Sequence, residues 1–147
     1  MAFYIFGAIF IICGFLLGKY IEQVYATRIK IIKLYKDFLT YTLKEINLFN
    51  KDLSTIINEF SPESKYKRYL FEKKKTLYIK AEFQNTIENA VTAIKNGDRD
   101  SAIRIIEEQQ LSVGQTLVKA EEDYVKKGKL FYKIIPLICV GIVLLLI

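Results

Sequence analysis

The chain has 147 residues, with 22 Lys or Arg against 16 Asp or Glu for a net charge of +6, no His, two Cys and 52% hydrophobic residues. Both cysteines, Cys13 and Cys139, lie in apolar ends, so the charged middle offers no thiol or imidazole for a zinc or iron site or a disulfide framework. Gly97, Gly114 and Gly128 are too isolated to form a phosphate loop, and no Ser, Thr or Lys sits in a pattern that would activate it, so the expectation is a protein without metal, cofactor or catalytic residue.

Every charged residue falls between Lys19 and Lys133. Met1 to Gly18 is charge-free, and with a residue or two more it supplies the roughly 20 apolar positions that cross a hydrocarbon core of about 30 Å. A secretory signal is the alternative reading, with Val24-Tyr25-Ala26 as a cleavage site, but no Lys or Arg precedes the apolar run. A lipobox ending at Cys13 fails because Ile12 is too large for the position before it.

From Ile21 the apolar residues recur at three- and four-residue steps through Ile31, Ile32, Tyr35, Phe38, Leu39, Thr42, Ile46, Phe49, Leu53, Ile56 and Phe60, with Arg28 as a gap. That spacing predicts one amphipathic helix continuing from the first span, weakest at Asn47 to Asp52, where Asn50 is positioned to cap a fresh helix at Lys51. Ser61-Pro62-Glu63 predicts a sharp restart, because Pro suits the first helical position and Glu the positive helix end. A second long helix is expected through Tyr66, Leu70, Leu77, Ala81, Ile87, Val91 and Ile94, ending at Asn96-Gly97. Asp98 caps a third, carrying Ala102, Ile103, Ile106, Leu111, Val113, Leu117, Ala120, Tyr124 and Leu130. The last apolar run, counted from Leu130 to Ile147 with Lys133 reaching back to the headgroups, spans about 27 Å.

These elements predict an all-α protein: an antiparallel helical bundle between an N-terminal and a C-terminal transmembrane helix, divided as 1–18, 19–129 and 130–147. Lys19, Arg28, Lys30 and Lys33 follow the first span, and Lys126, Lys127, Lys129 and Lys133 precede the second. By the preference of basic residues for the inner side, the bundle is expected in the cytoplasm and both termini outside. Gly14-x-x-x-Gly18 in the first span and Gly141 in the second are candidate notches for close helix packing.

Between Lys65 and Lys80 seven basic residues stand against Glu72 alone, interleaved with Tyr66, Tyr69, Phe71 and Tyr78, whereas Glu82 to Asp123 is acidic. The basic stretch admits a nucleic-acid site, an anionic-lipid site, a docking face for an acidic partner, or a plain solvated helix face. Nucleic acid is disfavoured, because helical spacing turns several of the aromatics toward the core.

The span at each end, the Tyr20 to Ile46 stretch leading into Leu43-Lys44-Glu45-Ile46, the Gly97-Asp98-Arg99 turn, and Lys129-Leu130-Phe131-Tyr132-Lys133 before Gly141 to Ile147 together resemble the stage III sporulation protein AB family. The chain departs from that pattern around Asp98, where Ile94-Lys95-Asn96-Gly97 precedes it and no Gln follows until Gln109. The resemblance implies a non-enzymatic platform subunit of the channel joining mother cell and forespore during endospore formation, similar to the F-type platform proteins of type II secretion. It also implies a location in the mother-cell membrane facing the forespore, other channel subunits as partners, a possible homo-oligomer, and docking of a cytoplasmic ATPase, stage III sporulation protein AA. Lys67, Arg68, Lys73, Lys74, Lys75, Asp98 and Arg99 are then the expected contact residues.

The rivals are a membrane-anchored sensor or scaffold and a membrane-tethered binder of nucleic acid or anionic lipid using residues 65–80. A receptor would need an outward-facing bundle and an output module, and the flanking charges favour an inward one.

Overall fold

The computed structural model describes residues 2–49, 51–60, 70–71 and 78–146, excepting the side chains of residues 2 and 3. Among these residues every regular element is helical and there is no strand: α1 (Ala2–Phe49), α2 (Leu53–Glu59), α3 (Ala81–Asn96), α4 (Arg99–Asp123), a π-turn (Tyr124–Gly128) and α5 (Lys129–Leu146). The all-α class expected from the periodicity is what the chain forms. It packs as two compact units, one of residues 1–27 with 120–147 and the other of residues 28–119. The expected span limits at 18/19 and 129/130 fall inside the first of these units, in which the helices that leave the apolar runs stay paired with each other for further turns.

In the first unit the start of α1 and the end of the chain run antiparallel. A Cβ added at Gly7 would lie 3.0 Å from Val143 Cγ1, one at Gly18 3.2 Å from both Cα and the carbonyl oxygen of Tyr132, and Gly128 lies against Tyr25. The Tyr124 hydroxyl donates to Glu22 Oε1 at 3.1 Å. Among the described residues two helices are long and apolar enough to cross a membrane, Tyr4–Phe49 and Arg99–Leu146. Few residues of their apolar stretches are covered by protein: Phe6 is 72% exposed and Leu145 88%, with Ile5, Phe15, Leu16, Leu17, Leu137, Ile138 and Leu144 all exposed. A continuous apolar surface of this kind is what lipid, and not water, solvates.

Pro136 sits inside α5 without ending it. Proline leaves the Tyr132 carbonyl without its usual amide donor, a loss tolerated in a span where a neighbouring helix covers the freed oxygen. Gly18 is that neighbour. The π-turn just before α5 closes with Lys129 N–H donating to the Tyr124 carbonyl, five residues back.

In the second unit the core is built on α1: Ile31, Ile32, Tyr35, Phe38, Leu39 and Ile46 are buried, at the three- and four-residue steps of one helix face. Against them lie Leu53 and Ile56 of α2, Ile87, Ala90 and Ile94 of α3, Ala102, Ile106 and Val113 of α4, and Leu70 and Ile79 from the segment before α3, all buried. Phe38 stands edge-on to Phe60 and Phe71, with ring centroids 5.2 and 5.0 Å away, and Tyr35 meets Phe83 at 5.9 Å. Each such fully buried side chain contributes about 1.5–3 kcal/mol of transfer free energy.

Several expectations are corrected. The helix restart falls at Leu53 with Asp52 as N-cap, where Thr55 Oγ1 donates to Asp52 Oδ1 at 2.7 Å; the expected start was Lys51 under an Asn50 cap. The second long helix expected through Tyr66 to Ile94 is broken at Tyr78 to Lys80. Tyr78 and Ile79 form a turn and Lys80 is extended, so α3 begins at Ala81. That turn is held from outside its own sequence, by Arg28 Nε donating to the Tyr78 carbonyl at 3.0 Å and by burial of Ile79. The expected restart at Ser61-Pro62 lies outside the described residues. Phe49 and Leu111, both placed on apolar stripes, are exposed. Leu111 is five residues from Ile106, about 140° round the helix at about 100° per residue, whereas Val113 is seven away and returns to the same face.

Candidate partner-docking site

Two chain corners form the end of the second unit. At one, α1 gives way to α2 around Lys51 and Asp52; at the other, Gly97-Asp98 joins α3 to α4. Gly97 ends α3 with its N–H donating to the Ala93 carbonyl at 3.0 Å and its backbone extended (φ −85°, ψ 163°). Its need for glycine is close approach: a Cβ there would lie 3.0 Å from that same Ala93 oxygen. Asp98 then caps α4, its Oδ1 accepting from Ser101 N–H at 3.3 Å and its carbonyl from Ala102 N–H at 2.9 Å.

Between the two corners is a cleft of about 390 Å³. Ile46, Leu53, Ile94 and Ala102 form its apolar floor, and Lys51, Asp52, Ser54, Lys95, Asp98 and Arg99 its polar walls. Arg99 ties the corners together, donating from a terminal guanidinium nitrogen to the Asn47 carbonyl at 3.1 Å. Lys51 lies between two carboxylates, 2.6 Å from Glu59 Oε2 and 2.9 Å from Glu45 Oε2, and so pins α2 to the end of α1. Hydrogen bonding to Glu59 and then Glu45 pushes the Lys51 amine above its usual range. Beside the cleft Leu48 and Phe49 are exposed, with the Lys51 amine 5.5 Å from the centre of the Phe49 ring.

Both acids of the cleft are held in the charged form. The hydrogen bond from Thr55 lowers the Asp52 carboxyl, and that from Ser101 lowers the Asp98 carboxyl. Neither is tuned toward neutrality, where a general acid or base works best. Among the described residues no three His, Cys, Asp or Glu side chains gather to hold a metal ion. The arrangement offers an apolar floor, fixed charges of both signs and exposed apolar residues at the rim, which are the means of binding.

Of the residues singled out by sequence, Asp98 and Arg99 lie in this cleft. Lys67, Arg68, Lys73, Lys74 and Lys75 lie outside the described residues. Gly14 and Gly18 face α5 in the first unit, a Cβ at Gly14 falling 2.5 Å from Cys139 Sγ. Gly141 does not provide a notch for α1: among the described residues a Cβ there meets nothing within 4 Å, because the helix pair has turned that face outward. Lys51, Asp52, Ser54 and Lys95 were missed. The available signal was topological, since an antiparallel bundle puts the break at Asn47 to Asp52 and the Gly97-Asp98 corner at the same end. No protein family, curated protein or solved structure matches the chain.

Proposed function

We propose that this chain is a membrane-anchored, non-catalytic platform subunit: its helix pair sits in the bilayer, its larger helical unit stands in the cytoplasm, and the corner cleft docks a soluble partner. The observation that carries the reading is the pair of apolar helices whose side chains are largely uncovered by protein, joined in sequence to a well-packed helical unit with a charged cleft. The basic residues beside both spans support the inward orientation. The resemblance to stage III sporulation protein AB supports a finer reading, in which the assembly is the channel between mother cell and forespore and the docked partner is the ATPase stage III sporulation protein AA.

Cysteine accessibility tests the orientation. With Cys13 and Cys139 replaced by Ala, a Ser112→Cys probe on the exposed face of α4 is expected to react with an impermeant maleimide only in opened cells, and an Ala2→Cys probe already in intact ones. The reverse pattern refutes the topology. In an endospore former, loss of the chain is expected to block sporulation, and Asp98→Lys with Arg99→Glu to weaken capture of the ATPase. Normal sporulation without the chain removes the channel reading.

A further inference from the structure

One level of the helix pair in the first unit gathers lysines beside aromatic and apolar residues. Gly18 and Tyr132 mark that level, since a Gly18 Cβ would lie 3.2 Å from Tyr132 Cα. Lys19 follows Gly18 directly, Lys133 follows Tyr132, and Lys129 lies three residues back, about 4.5 Å along α5. On one side of the crossing the exposed residues are apolar: Phe15, Leu16 and Leu17 of α1, and Ile134, Leu137 and Ile138 of α5. At the crossing itself Tyr20, Phe131 and Tyr132 are part-exposed, at 49%, 40% and 38%, the placement aromatic rings take at the headgroup boundary.

The lysines at this level are outside the ion pairs of the protein: Glu122 pairs with Lys126 at 3.2 Å and Asp123 with Lys127 at 2.8 Å, while Glu22 accepts from the Tyr124 hydroxyl and keeps its charge. Among the described residues no carboxylate is within ion-pair reach of Lys19, Lys129 or Lys133, and the Lys129 amine stands 5.6 Å from the centre of the Tyr124 ring. Three cations outside any ion pair, interleaved with aromatics and bordered by lipid-facing residues, match the phosphates of an anionic leaflet.

We infer that Lys19, Lys129 and Lys133 bind the headgroup phosphates of acidic phospholipid, so that anionic lipid is enriched around this helix pair. The inference rests on the membrane placement proposed above. It differs from a lipid role for residues 65–80, because it uses lysines of the helix pair itself.

The test uses the full chain reconstituted into phosphatidylcholine vesicles holding a minor fraction of spin-labelled phosphatidylglycerol or spin-labelled phosphatidylcholine. Co-flotation with the vesicles is checked first. The chain is expected to enrich phosphatidylglycerol at its surface by roughly five-fold or more, and the Lys19→Gln, Lys129→Gln, Lys133→Gln triple variant to fall below about two-fold. Lys44→Gln, in the other unit, should keep the full preference, and high salt should flatten it. An unchanged preference in the triple variant, or none in the natural chain, overturns the inference while leaving the membrane placement standing. Loss of preference on adding inorganic phosphate at matched ionic strength identifies a soluble-anion site and overturns it also. Failure to float overturns the membrane placement and the inference together.

Discussion

Gly14 and Gly18 stand one turn apart on α1, and what each faces differs in kind. A Cβ at Gly14 collides with the tip of a side chain, Cys139 Sγ at 2.5 Å, whereas one at Gly18 presses on the Tyr132 backbone at 3.2 Å. Gly14→Ala is therefore expected to destabilise the helix pair by about 1–3 kcal/mol, the usual range for overpacking. Cys139→Ala, which removes the obstructing sulfur, should restore much of the loss. Gly18→Ala should not be rescued by any side-chain truncation, and Gly141→Ala, with open space around it, should be near neutral. Thermal unfolding in detergent, read by circular dichroism, separates these outcomes.

Asp98 supplies a prediction with a pH signature. Its carboxyl is held below the ordinary value of 3.8 by the hydrogen bond from Ser101, so near that pH the folded chain binds fewer protons than the unfolded one. The stabilisation is fully present above the unfolded value and is lost as pH falls through the lower folded one. Asp98→Ala should lower Tm at pH 7, and the gap from the natural chain should close in melts recorded near pH 2. A gap that persists in acid would mean that something other than the ionised cap is responsible.

At the scale of elements, helix faces decide which apolar residues matter. Ile106 is fully buried and Leu111 is exposed, although both lie on α4 within the same predicted stripe. Ile106→Ala should cost about 2–5 kcal/mol and Leu111→Ala no more than about 0.5 kcal/mol in urea unfolding. Phe38, enclosed by Phe60 and Phe71, belongs with Ile106, and Phe38→Ala should cost about 3–5 kcal/mol. The seven residues of α2 are too few to be helical alone; burial of Leu53 and Ile56 anchors them, and the Lys51 bridge to Glu45 and Glu59 adds a tie to the end of α1. Lys51→Met should speed amide exchange in α2 and leave α3 and α4 protected, as hydrogen exchange read by mass spectrometry will report.

For the whole molecule the governing quantity is the exposed apolar surface of the helix pair. If lipid solvates it, the chain stays with membranes through extraction at alkaline pH and high salt and is released only by detergent. Recovery in the aqueous fraction after such washing would contradict the proposed anchoring. The helical unit of residues 28–119 is expected to unfold as a separate transition, because it has its own core.

Much of this was legible along the chain. Helical class, two charge-free ends and the corner at Gly97-Asp98 rest on local properties: periodic apolar spacing, the absence of charge, and residues that end and cap helices within a few positions. The tertiary structure alone decided which corners meet, so that Lys51 and Asp52 share a cleft with Asp98 and Arg99, and which glycine faces a backbone and which faces open space. It also decided the break at Tyr78 to Lys80, which Arg28 stabilises from fifty residues away. Such features depend on the register of helices against one another, which is settled by the summed packing of whole faces and leaves no mark in any short stretch of sequence.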